Sequence, residues 1–244
     1  MNTIITMGLT PDNIKDFLIK AIDDKPAIVG ISGGIDSALV LMILSKSIRK
    51  EKIHAYFIPD SYTPKSDFED VKALEKSSGI PIKVLNIENT IKSFRELLPG
   101  GKRENFGNLK SRVRMSILYY FSNSMNGIVV GTTNYSEYVT GYYTKYGDGG
   151  CDIEPIISLT KSEVRKMAFE AGVPEAIIRK TPTAGLWEGQ TDEEDLGFKY
   201  AEIDDAITHF KNHGMFPETP AGRRVMELYN NSNHKRKMPV SLED

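Results

Sequence analysis

Apolar residues recur with two periods along the chain, and the alternation between them predicts its elements. Short, mostly apolar runs at 27–31, 53–58, 82–87, 127–132 and 152–157 predict strands, the first and fourth buried on both faces and the last a fifth strand or its edge. Between them, apolar residues at helical spacing predict amphipathic helices. Ile14, Phe17, Leu18, Ala21 and Ile22 form the first stripe, with Thr10 as N-cap and Pro11 at the first position. Ala38, Leu39, Leu41, Met42, Leu44 and Ile48 form the second, and Phe68, Val71 and Leu74 a third that Thr63 is placed to cap. Leu109, Val113, Ile117, Tyr120 and Phe121 give one face of a long helix from Gly107 to about Met125. Thr160 and Glu163 make a capping box for a further helix. An acidic first turn at 192–195 and apolar stripes at 200–210 and 219–229 predict the last helices.

Strand alternating with helix predicts an α/β fold: a Rossmann-like, doubly wound parallel sheet of about five strands with helices on both faces. In such sheets ligands lie beyond the carboxyl ends of the strands. The loops after residues 31, 58 and 132 are therefore expected to meet at one site. No repeat divides the chain, so residues 1–244 are expected to form one domain.

The polar stretches between these runs carry the candidate chemistry. Residues 30–37 read Gly30-Ile31-Ser32-Gly33-Gly34-Ile35-Asp36-Ser37, a strand end, a glycine-bearing turn and a helix start. Free N–H groups at a helix N-terminus, close backbone approach at glycine and two hydroxyls suit a phosphate. The loop lacks the lysine of a Walker A motif. Asp36 would repel a phosphate unless a divalent cation lay between them, and Mg²⁺ prefers carboxylate plus phosphate oxygens. Thr132 ends the fourth strand, and Glu137 follows about a helical turn later as a second carboxylate for that cation. Lys161 sits in the first turn of its helix, against the dipole, which hints at an anionic ligand.

Tyrosines and glycines crowd residues 138–150, a pattern expected of a ligand-binding loop rather than a regular element. Residues 99–106 and 181–190 are likewise expected to be loops. Lys110, Arg112 and Arg114 are expected to form a solvated face, and residues 231–239 a solvated basic tail.

Composition excludes several classes. A formal net charge of -2 argues against a nucleic-acid backbone as main partner. No apolar run is long enough to span a bilayer, and residues 1–20 do not read as a signal peptide. The single cysteine, Cys151, suits a reducing compartment and lacks a neighbouring base. A cytoplasmic protein without nucleic-acid or membrane partners is expected.

SGGIDS resembles the pyrophosphate-binding loop of the N-type ATP pyrophosphatases, a superfamily in which the loop alone leaves the substrate open. Further stretches are similar to the NAD synthetase family: GNLKSRVRM at 107–115, GTTNYSEYVTGYYTKYGDGGCDIEPI at 131–156, LTKSEVRKMA at 159–168, TPTAGL, DEEDLG, YAEIDD and NHKRKMP at 233–239. The resemblance spans nearly the whole chain in order. It implies an adenine nucleotide alpha hydrolase-like fold and a ligase that makes NAD from deamido-NAD, ATP and ammonia. The nicotinate carboxylate would attack the α-phosphate, pyrophosphate would leave, and ammonia would displace AMP from the acyl-adenylate.

Residue by residue, the resemblance implies that 30–37, Thr132, Lys161 and Thr183 bind ATP. Asp36 and Glu137 would hold Mg²⁺. Arg112, Lys145, Asp152, His234 and Lys235 would bind deamido-NAD, and Asp36, Lys161 and Asp152 would serve catalysis. A homodimer, with the 107–125 helix in its interface, is also implied. Bacterial members often carry Asp after Pro-Thr-Ala where this chain has Gly185.

Overall fold

A computed structural model describes residues 10–187, 189–239 and 241–242. The elements run α1 (Pro11–Ile22), β1 (Ala27–Ile31), α2 (Ile35–Ser47), β2 (Ile53–Phe57), α3 (Lys65–Ser78), β3 (Ile82–Val84), α4 (Glu88–Leu97) and α5 (Arg103–Met125). They continue with β4 (Ile128–Val130), α6 (Tyr135–Thr140), α7 (Lys161–Ala171), α8 (Glu175–Arg179), α9 (Asp192–Leu196), α10 (Tyr200–His213) and α11 (Pro220–Asn231).

The sheet has four parallel strands in the order β3-β2-β1-β4. Period-two alternation divides β1 and β2 between two cores. Ala27, Val29 and Ile31 of β1 pack with Leu18 of α1, Leu39 and Leu41 of α2, Leu74 of α3 and Val164 of α7. Ile28 points the other way and joins Tyr56, Ile91 of α4 and Val113 of α5. Helices therefore cover both faces, as expected.

The chain leaves β1 towards β2 on one side and returns to pair β4 on the other. This reversal puts the ends of β1 and β4 side by side, which is where ligands enter such sheets.

Several expectations are corrected. The fifth strand is a single parallel bridge of Ile153 to Val130, because Pro155 has no N–H to continue a ladder and the chain turns there. The third strand stops at Val84, although Leu85 and Ile87 still donate to the Phe57 and Pro59 carbonyls. Asn86 then accepts from the Glu88 amide and opens α4, which the apolar pattern did not reveal. The long helix begins at Arg103 rather than Gly107, so residues 103–106 are helical. Thr63 does not cap α3; its Oγ1 accepts from the Asp60 amide instead. Phe17 and Phe68 are exposed rather than core.

The tyrosine-rich segment is helical through Thr140, since Asn134 and Glu137 form a capping box. The basic tail is not free. Arg236 donates to the carbonyls of Tyr138 and Tyr229 and to Ser232 Oγ.

A third apolar cluster, with Val139, Leu196, Ile203, Ile207 and Val225, lies between α6, α9, α10 and α11. One buried carboxylate ties it to the rest. Asp204 of α10 accepts from the Ser162 amide at 2.8 Å and Ser162 Oγ at 2.6 Å, in the first turn of α7. It also accepts from Ser136 Oγ in α6, and that hydroxyl oxygen accepts from the Lys161 amide at 3.0 Å. Asp204→Ala strands three donors, one of them fully buried, and should cost about 3 kcal/mol in urea unfolding. Asp204→Asn should cost less; equal, negligible losses would refute the tie.

Candidate functional site

The site is assembled at the β1 and β4 ends. Gly33 turns the chain at φ 84°, and a Cβ there would sit 3.1 Å from Asp67 Cβ, so only glycine fits. Gly34 is the N-cap of α2 with no side-chain cap bond, which leaves the helix amides for an anion. Ser32 Oγ accepts from the Gly34 amide at 3.1 Å. Ser37 is buried; its hydroxyl accepts from the Ser32 amide at 3.2 Å and braces the turn from within.

Asp36, one residue into α2, faces the end of β4. Asn134 Nδ2 donates to Asp36 Oδ1 at 2.9 Å, while Asn134 Oδ1 accepts from the Glu137 amide. Lys161 Nζ lies 2.6 Å from Asp36 Oδ2 and 3.3 Å from Glu137 Oε1, so these carboxylates converge within about 6 Å. The dipole misfit of Lys161 is thereby explained: its backbone starts α7, but its ammonium reaches away to two acids. Burial pulls Lys161 down, yet the charges of Asp36, Glu137 and Asp192 outweigh it and hold the ammonium above its usual range. Burial pushes Glu137 up against the opposing pull of Lys161. Burial likewise pushes up Asp192, which is 3 % exposed.

The cavity above these groups has a volume of about 440 Å³, and Thr132, Tyr142, Lys180, Thr183, Asp192 and Lys235 are among its walls. Its size is that of a small-molecule site. Thr183 is exposed, and its Oγ1 accepts from the Gly185 amide at 3.0 Å. Gly185 adopts φ 60° in open space, a conformation that Asp tolerates better than most residues. The segment around it closes on itself, because the Asp192 amide donates to the Pro182 carbonyl at 3.1 Å. Glu188 lies outside the described residues.

The dinucleotide set divides. Arg112 donates through Nε and Nη2 to the Lys145 carbonyl at 3.3 Å, and Lys145 Nζ donates to the His234 carbonyl. Lys235 Nζ donates to the Gly141 and Tyr143 carbonyls at 2.7 and 2.6 Å. These four residues come together beside the tyrosine-rich segment. Asp152 stands apart from them: its carboxylate accepts from the Val129 amide at 2.7 Å and the Tyr119 hydroxyl at 2.9 Å.

Sequence reasoning misjudged the other cations of α5. Lys110 and Arg114 do not form a solvated face; they reach Asp60 Oδ2 at 3.1 and 3.0 Å, and Lys110 is buried. Only Arg112 of the three is exposed. Lys180 was missed as well. It bonds Asp67 Oδ1 and Asp70 Oδ2 at 2.5 and 2.7 Å, beside the phosphate loop. No local pattern marks it, since its partners lie far away in sequence. Cys151 donates to Glu154 Oε1, and burial pushes its thiol up, so it is no nucleophile.

No group of three or more acidic, histidine or cysteine side chains able to hold a metal occurs among the described residues. A pair of acids at a phosphate loop nonetheless fits Mg²⁺, which takes one or two carboxylates plus substrate oxygens. No helix among the described residues is long and apolar enough to cross a membrane.

Known proteins resemble this chain over most of its length. The NAD synthase family model matches residues 10–239. The NH(3)-dependent NAD(+) synthetase of Thermoplasma volcanium is 49% identical over 231 residues, covering 95% of this chain and 96% of that protein. The solved NMN synthetase of Francisella tularensis superposes with a TM-score of 0.86 at 30% identity, covering 97% of this chain and 100% of that one. An NH3-dependent NAD synthetase from Campylobacter jejuni, solved with nitrate, gives 0.80 at 27% identity, over 95% and 97% of the two chains. With its strand order, its phosphate loop and this likeness taken together, the chain belongs to the NAD synthase family.

Proposed function

We propose that this protein joins ammonia to the nicotinate carboxyl of deamido-NAD, with ATP as co-substrate, releasing NAD, AMP and pyrophosphate as the last step of NAD synthesis. The observation that carries this reading is Lys161 held between Asp36 and Glu137 at the mouth of the phosphate loop. The relatives named as ammonia-dependent NAD synthetases support it.

A carboxylate is a poor electrophile, so it must first be adenylated. Residues 30–37 would receive the phosphates, with Thr132 and Thr183 at the nucleotide's flanks. The Lys161 ammonium would face the α-phosphate and offset the charge that develops as pyrophosphate leaves. Asp36 and Glu137 would hold Mg²⁺, which when bound supplies further charge neutralisation at the phosphate oxygens. Ammonia then attacks the acyl carbon and AMP departs; water must be kept out, or the adenylate hydrolyses. Arg112, Lys145, His234 and Lys235 would hold the dinucleotide. Asp152 would act from the edge of β4, positioned by Tyr119.

The α4–α5 face supports a homodimer. Tyr120 is 67 % exposed there, and Leu97 and Leu98 are 76 % and 42 % exposed. Exposed apolar side chains along such a helix pair are surface that a second copy could cover. The reading is of one NAD synthetase-like domain, cytoplasmic, with small-molecule partners and neither nucleic acid nor membrane.

A second reading is favoured by the Francisella structure, whose name points to the mononucleotide as product. Incubation with ATP, Mg²⁺, ammonium chloride and either deamido-NAD or nicotinate mononucleotide decides between them. NAD and pyrophosphate in equal amounts, with deamido-NAD the better substrate by kcat/KM, are expected. Preference for the mononucleotide would select the second reading. Asp36→Ala should lower kcat by at least about a hundredfold, as loss of a group that stabilises developing charge does, with circular dichroism unchanged. Retained turnover would remove Asp36 from the chemistry.

A further inference from the structure

Three carboxylates act on the Lys161 ammonium, two in contact and a third at longer range, and the proposed reaction employs the first two. The third is Asp192, the first residue of α9. It lines the cavity, yet it is 3 % exposed. Tyr200 donates its hydroxyl to Oδ2 at 3.0 Å. The Tyr200 ring also lies beneath the Lys161 ammonium, 5.2 Å from its centroid, so Asp192 stands one ring away from the lysine. Oδ1 has no hydrogen-bond partner among the described residues, and it is the one buried side-chain polar atom among them in that condition. Tyr142, a neighbouring wall residue, donates its hydroxyl to Asp195 Oδ2 at 2.7 Å rather than to this oxygen.

An unpaired buried carboxylate oxygen is costly, several kcal/mol by general experience, and a cationic donor is the group that offsets it best. The reaction requires such a donor. Near neutral pH ammonia in water is overwhelmingly the ammonium cation, a small ion with four N–H groups and no apolar part. A site for it needs a desolvated anion near the adenylated carboxyl, and not one committed to a metal or to phosphate. Asp36 and Glu137 are committed to Lys161 and the phosphate loop. Asp204 is filled by Ser136 and Ser162, and Asp195 by Tyr142 and Gln190.

We propose that Asp192 is the ammonium-binding residue of this enzyme, its Oδ1 receiving the cation in the cavity beside Lys161 and accepting the one proton the ion gives up before neutral ammonia attacks the acyl carbon and AMP leaves. The inference rests on the amidation described under Proposed function. It assigns a subsite for the nitrogen substrate, and Tyr200 orients the carboxylate that forms it.

Asp192→Asn keeps the shape and the Tyr200 contact but removes the charge. With ammonium chloride as the varied substrate, the variant should show a KM for ammonium raised at least about tenfold, the loss of one charge-assisted hydrogen bond. Two readouts should change far less than the ammonium KM, because Asp36 and Glu137 still hold the Lys161 ammonium. One is ATP–pyrophosphate exchange with deamido-NAD and no ammonium, which reports adenylation alone. The other is hydroxamate formation with hydroxylamine, a neutral nucleophile that needs no anionic subsite.

An unchanged ammonium KM would overturn the proposal, as would exchange and hydroxamate formation falling in step with amide formation. If the variant does not fold, the wild-type protein gives the answer. Potassium, similar to ammonium in size and charge, should inhibit competitively against ammonium and not against ATP; failure to compete overturns the assignment. Should the wild-type protein itself form no amide from ammonium, the amidation reading fails, a result distinct from any of these.

Discussion

One buried lysine between two carboxylates holds the working end of this molecule together. Lys161 opens α7, and Asp36 and Glu137 lie in the first turns of α2 and α6, so a single ammonium pins three helix N-termini to one point. Each helix would otherwise direct a positive end at its neighbours. The acids in the first turns of α2 and α6 answer that charge, and the lysine answers the acids. Removing the lysine leaves two carboxylates facing each other uncompensated, the expensive outcome for buried charges.

The surroundings are built to keep that point fixed. Asn134 spans Asp36 and the Glu137 amide, so the end of β4 is tied to the start of α2. Asp204 performs the same service one layer out, joining α10 to the first turns of α6 and α7. The third apolar cluster thereby acts on the site through hydrogen bonds rather than through contact with ligand. Lys180 does the equivalent on the other flank, fastening the Gly33 turn to α3.

Much of this was legible in sequence, for a physical reason. Buried parallel strands and a glycine turn are local patterns, so β1, the phosphate loop and α2 could be read directly, and Thr160 with Glu163 marked the start of α7. What failed was non-local. Lys110 and Arg114 looked solvated because their partner, Asp60, lies 50 residues or more earlier. The basic tail looked free because the carbonyls that receive Arg236 belong partly to α6. The fifth strand failed on chemistry already visible, since Pro155 denies it a donor. Asp192 gave no sign at all: an acid in a helix first turn reads as dipole compensation until its unpartnered oxygen is seen.

Helix α5 carries a further implication. Lys110 and Arg114, one turn apart, point inward to Asp60 at the end of β2, while Arg112 between them points outward to Lys145. The helix is thus a partition wall with fittings on opposite sides, and its winding sets which cation serves which room. One residue inserted before Lys110 would rotate all three by about 100°, turning the wall rather than lengthening it. The loops at either end of this rod can change length without disturbing that assignment; the count of residues along it cannot.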